Sequence, residues 1–86
     1  MASDKDLNPI CDLLGEILED RTVPRNIRSV IESSKEVLEG DGSEELKIST
    51  AISNLDEIIN DPNMPMYTRT QIWNIVSMLE QIRSDI

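Results

Sequence analysis

The groups in this chain best able to do chemistry are carboxylates. There are 17 Asp and Glu against 8 Lys and Arg, with one cysteine and no histidine. Two carboxylates held together with split pKa values can act as a general acid and base. The lack of His removes imidazole bases, Ser-His-Asp and Cys-His constellations, and the Glu-x-x-His di-metal pattern. The three glycines, Gly15, Gly40 and Gly42, are scattered and form no phosphate-cradling loop. An enzyme or small-ligand site would therefore have to combine carboxylates with Arg28, Arg69 or Tyr67 in a cleft between helices. The acidic residues fall mostly on outward faces or helix ends, which argues against such a site. We expect no catalytic residues, no cofactor and no metal-ligand set.

Two charged constellations stand out. The first is repeated: Asp20 with Arg28, and Asp61 with Arg69, each pair eight positions apart. These could be ligand-contacting charges at one end of the molecule. The simpler expectation is structural, with each Arg meeting its Asp across a turn or meeting the carbonyls that end the preceding helix. The second is the acidic run Glu36, Glu39, Asp41, Glu44 and Glu45. In an up-down arrangement it would share one end with Asp4, Asp6, Glu80 and Asp85, while Arg21, Arg25, Arg28 and Arg69 gather at the other. Such an end could dock a basic segment or weakly hold a divalent cation, but it lacks the ordered ligand spacing of an EF-hand loop. A solvated helix end is the plainer reading. Cys11 lies on an apolar stripe and reads as an inert core residue.

The elements that must position these groups are helices. Leu7, Ile10, Cys11, Leu14, Ile17 and Leu18 recur at spacings of three and four and draw one apolar stripe. Asn8-Pro9 marks its start, as a cap with Pro first or as a Pro in the first turn of an earlier helix. The helix should stop near Asp20–Thr22, because Pro24 forces Val23 extended. A second helix from Pro24 carries Ile27, Val30, Ile31, Val37 and Leu38, and should end at Gly40 in a left-handed cap. A third starts at Ser43, with Glu44 and Glu45 at the positive end of its dipole, and carries Ile48, Ala51, Ile52, Leu55, Ile58 and Ile59. Asn60-Asp61-Pro62 stops it. A fourth from Pro65 carries Ile72, Ile75, Val76, Leu79, Ile82 and Ile86. Connections this short make consecutive helices antiparallel.

Residues 14–39 and 55–80 repeat one pattern without a gap. Leu14, Glu16, Ile17, Asp20, Pro24, Arg28, Ile31, Leu38 and Glu39 recur as Leu55, Glu57, Ile58, Asp61, Pro65, Arg69, Ile72, Leu79 and Glu80. Each copy reads as helix, Pro-containing turn, helix. Two repeats are too few for an open solenoid, so closure of the hairpins into a four-helix bundle, or dimerisation, should cover the core. The copies also differ. Arg25, Glu32, Ser34 and Lys35 give way to Met66, Trp73, Ile75 and Val76, while Ile27 and Val30 give way to Thr68 and Gln71. This predicts that the fourth helix has turned part of its apolar face relative to the second. With Met64, Tyr67 and Met78 its apolar surface would be wider than one core stripe, and Trp73 would either join an interface there or fill the core of an asymmetric bundle. Gly15 corresponds to Asp56 and should point outward, or else mark a helix-packing contact that needs a small residue.

Leu55-Asp56-Glu57-Ile58-Ile59-Asn60-Asp61-Pro62 followed by Arg69 resembles a HEAT repeat, in which Asp-Pro at the turn precedes an Arg in the second helix. The Asp-to-Arg spacing here is longer, so the likeness is one of helical-hairpin architecture and not of membership. The chain as a whole resembles the small uncharacterised protein family 147. The residues that carry this are Asp12-Leu13-Leu14, Asp20-Arg21-Thr22-Val23-Pro24-Arg25-Asn26-Ile27-Arg28 and Asp61-Pro62-Asn63-Met64-Pro65. The resemblance implies an archaeal cytosolic protein of four helices, with no known activity and no known site residues.

The expectation is a single all-α domain over 1–86, with repeat one at 7–40 and repeat two at 43–86. It should be a four-helix bundle made of two duplicated antiparallel hairpins. A net charge of −9 disfavours nucleic-acid phosphates and anionic membrane surfaces. No apolar run approaches the roughly 18 residues of a membrane span, and residues 1–10 carry no signal-peptide pattern. A lone Cys11 fits a reducing cytoplasm. The expected activity is non-catalytic protein binding, with the chain itself as partner in a homodimer. Met66, Tyr67 and Trp73 would supply affinity, with Arg69 at their rim. The competing expectation is an acidic factor docking a basic partner in a ribosomal or chromatin assembly.

Overall fold

The computed structural model describes residues 7–84. Four helices follow one another: α1 (Asn8–Leu18), α2 (Arg25–Glu39), α3 (Glu44–Ile58) and α4 (Met66–Ser84). No strand occurs among the described residues. α1 packs on α2 and α4, and α3 packs on α2 and α4, so the four helices close into a ring. The molecule measures 38 × 19 × 18 Å, long in one direction as a bundle of aligned helices requires. The α1–α4 contact is what an open stack of hairpins would lack.

The core follows the predicted stripes. Ile10, Leu14 and Ile17 of α1, Ile27 and Ile31 of α2, Ile48, Ala51 and Leu55 of α3, and Ile72, Ile75 and Leu79 of α4 are all fully or almost fully buried. Cys11 is buried among them. With no Phe in the chain, isoleucine supplies most of the volume. Each such side chain contributes about 1.5–3 kcal/mol when it leaves water. Val23 and Met64, one from each long connection, are also buried, so the turns are anchored to the core.

Helix ends differ from expectation in instructive ways. α1 stops at Leu18, short of Asp20, because Glu19 and Asp20 turn back to bond the carbonyls of Glu16 and Ile17. Pro9 sits within the first turn of α1, whose cap is Leu7. Ser43 caps α3 as expected, its hydroxyl accepting the Leu46 amide at 3.2 Å. Gly40 is not left-handed: its φ of −81° and ψ of 179° are extended. The left-handed requirement falls two residues later, on Gly42 at φ 135°, where a side chain would be strained. Gly15 does not point outward. It is half-buried, and a Cβ there would lie 3.7 Å from Lys35 Cε.

The predicted rotation of the fourth helix is corrected by the burial pattern. Ser34 of α2 and Ile75 of α4 hold matched positions, and both are fully buried. Ile27 and Thr68 likewise match, and both are fully buried. Glu32 and Trp73, also matched, are both exposed. The helices therefore present the same positions inward, and the copies exchange side chains within the same slots. A serine is tolerated in the core because its hydroxyl donates to the Val30 carbonyl at 2.9 Å, within its own helix.

Candidate interaction surface

The repeated Asp and Arg residues build the two long connections alike. In the first, the Asp20 carboxylate accepts the Thr22 amide at 2.9 Å and the Thr22 hydroxyl at 2.7 Å. In the second, the Asp61 carboxylate accepts the Asn63 amide at 2.8 Å. The Asp20 carbonyl accepts from Val23 N, and the Asp61 carbonyl accepts from Met64 N. The Pro24 and Pro65 carbonyls then receive the amides of Arg28 and Arg69, opening α2 and α4. Each Arg reaches back to the same Asp, but to its carbonyl: Arg28 Nη2 to Asp20 O at 3.2 Å and Arg69 Nη2 to Asp61 O at 3.0 Å. Arg69 Nε also donates to Ile59 O at 2.8 Å, whereas Arg28 Nε is buried with no hydrogen-bond partner among the described residues. These side chains close polar groups left at helix ends.

Asn26 Nδ2 donates to Asp61 Oδ2 at 3.1 Å, which places both turns at one end of the bundle. Of the four arginines expected to charge that end, Arg21 and Arg25 are exposed, while Arg28 and Arg69 are half-buried. Arg69, expected at the rim of an apolar face, is half-buried and committed to two carbonyls. The Asp20 carboxyl is held below the usual range, first by the Thr22 hydroxyl and amide, with the Arg28 charge adding a smaller pull.

Around the α2–α3 connection, Glu39 pairs with Lys35 at 2.9 Å, and Lys47 Nζ donates to the Gly40 carbonyl at 3.0 Å. An open groove of about 290 Å³ lies there, lined by Glu36, Val37, Asp41, Leu46, Lys47 and Thr50 among others. Asp4, Asp6 and Asp85, expected nearby, lie outside the described residues, as does Ile86. No group of three His, Cys, Asp or Glu is placed to hold a metal among the described residues. The Cys11 thiol is pushed up, chiefly by its burial and then by nearby Glu39, which leaves little thiolate.

The apolar face expected on the fourth helix is narrower than predicted. Met64 is in the core, and Met78 and Val76 pack partly against it. What stays outside is Met66 at 77%, Tyr67 at 71% and Trp73 at 55% exposure. Met66 and Trp73 are seven residues apart, two turns along one side of α4. Leu46, 66% exposed, is the other large apolar side chain in solvent among the described residues. No helix of the described residues is long and apolar enough to cross a membrane.

The uncharacterised protein family UPF0147 matches residues 1–82. A UPF0147 protein of Methanocaldococcus jannaschii is 53% identical over 78 residues, covering 90% of this chain and 84% of that protein. One from Methanothermobacter thermautotrophicus is 48% identical over 82 residues, covering 94% and 80%. The crystal structure of MMP1188, a protein of unknown function, superposes with a TM-score of 0.85 at 49% identity, over 93% of this chain and 91% of that one. A UPF0147 protein of Thermoplasma acidophilum does so with a TM-score of 0.84 at 42% identity, over 88% and 91%. The same four-helix frame and closely related sequences run through these proteins, and this chain belongs to UPF0147, an archaeal family of unknown function.

Proposed function

We propose that this protein works in the cytoplasm as a non-catalytic protein-binding module that associates with itself through the outer face of α4. The observation that carries this reading is the exposure of Met66, Tyr67 and Trp73 on one helix. Aromatic side chains and Met are enriched in the cores of protein interfaces and supply most of their binding energy. The carboxylate residues among the described residues, by contrast, are exposed or half-buried, and none lines an enclosed cleft between the helices with a second one.

Light-scattering-coupled size exclusion of the protein beside Trp73→Glu tests it. The substitution installs the residue that the matched position of α2 already carries, Glu32. A dimer that becomes a folded monomer supports the reading. A protein that is monomeric at every concentration overturns the self-association, and unfolding of Trp73→Glu would mean that Trp73 holds up the core.

A second reading rests on the groove beside Leu46, where the carboxylates of Glu36 and Asp41 stand beside the apolar side chains of Val37 and Leu46. There the chain would dock a basic segment carrying an apolar anchor. The two readings differ in their response to salt.

A further inference from the structure

The sequence of α4 carries a feature beyond its exposed aromatics. From Pro62 to Leu79 there is no carboxylate and no lysine, and Arg69 is the single charge. In a chain of net charge −9 this is the longest stretch free of acidic residues. Arg69 is turned to the Asp61 and Ile59 carbonyls, so the solvent side of the window is neutral. Its exposed residues include Met66, Tyr67, Thr70, Trp73, Asn74 and Ser77. A basic partner would find no carboxylate to pair with here. A second copy of the chain, itself acidic, meets no carboxylate of α4 on this face before Glu80, so close contact there adds no like-charge pair from α4.

Resting on the self-association proposed above, we infer that two copies pair α4 against α4 in antiparallel fashion, about a two-fold axis that passes beside Thr70. Met66 and Trp73 stand on one side of the helix, and Thr70 stands between them. An isologous contact reuses one patch on both copies, so with the axis beside Thr70 the Trp73 of each copy covers Met66 of its partner. Sulfur against an aromatic ring is a favourable contact. Thr70 is the smallest of the three and lets the helices approach closely. Its hydroxyl is already bonded to the Met66 carbonyl at 3.2 Å, so burying it orphans no donor. The antiparallel sense opposes the two helix dipoles and sends the Glu80 carboxylates to opposite ends of the pair. A parallel pairing would set Glu80 beside Glu80.

Thr70→Cys tests the axis, with Ser53→Cys on the exposed face of α3 as control. Both positions are exposed, so neither substitution strains the core, and the wild type reports any contribution from buried Cys11. Under mild oxidation at a concentration where light scattering reads a dimer, Thr70→Cys should cross-link to a covalent dimer at least tenfold faster than Ser53→Cys. The added substitution Trp73→Glu should abolish that cross-link. A dimer in which Thr70→Cys cross-links no faster than Ser53→Cys overturns the two-fold arrangement and leaves the α4 contact standing. Absence of any dimer overturns both.

Discussion

At the scale of single residues, the buried polar side chains show where this fold is not optimised. Thr68 is fully buried and its hydroxyl has no hydrogen-bond partner among the described residues. The matched position in α2 is Ile27, equally buried. Thr68→Val keeps the shape and removes the orphaned hydroxyl, so it should stabilise the protein by about 1 kcal/mol, read as a raised urea midpoint at constant slope. Asp20 carries a pH dependence. Its carboxyl is held below the ordinary 3.8 by the hydroxyl and amide of Thr22. A depressed folded value means that the stabilisation is fully present above the unfolded pKa and is lost as pH falls through the lower folded one. A carboxyl-carbon NMR titration should therefore place Asp20 below 3.8, and Thr22→Val, which removes the hydroxyl donor, should move it upward. A value at or above the ordinary one would remove the acid-side linkage.

At the scale of elements, the two connections share a plan and differ in how completely they are closed. Arg69 satisfies the carbonyls of Ile59 and Asp61, while Arg28 satisfies that of Asp20 alone and buries an unpartnered Nε. Hydrogen bonds from charged donors contribute about 1.5–3 kcal/mol when removal leaves a partner unsatisfied. Arg69→Ala should therefore destabilise the protein by about 2–3 kcal/mol and Arg28→Ala by about 1 kcal/mol, in parallel denaturant titrations. Equal losses would show that burial of the arginine stems, and not the carbonyl bonds, sets the cost. The Asp and Arg spacing was legible from the repeated pattern in the sequence. Which atom each Arg meets was not, since carboxylate and carbonyl of one Asp lie within reach of the same guanidinium.

At the scale of the whole molecule, charge and apolar surface are separated. The acidic run surrounds the α2–α3 connection, and the stretch without carboxylates covers α4 from Met66 to Leu79. Two copies of net charge −9 repel at long range, and salt screens that repulsion over about a 10 Å Debye length at 0.1 M. Self-association through α4 should therefore hold or tighten as salt rises from 50 to ~500 mM, measured by sedimentation equilibrium. Association that weakens steeply across that range would favour the acidic groove as the binding surface.

The sequence by itself determined the helices, their order and most of the core, because apolar residues at spacings of three and four leave a helix one face to bury. It also determined the turn chemistry, since Pro24 and Pro65 remove a donor and fix φ wherever they stand. Tertiary structure decided the rest. It placed Ser34 inside and Glu32 outside, and it drew Met64 into the core while leaving Met66, two residues on, in water. It moved the left-handed position from Gly40 to Gly42. Type and spacing say which side chains prefer burial. Only the packing of four helices says which position is closed off on every side, and a small hydroxyl that bonds its own helix fits such a place as well as an isoleucine does.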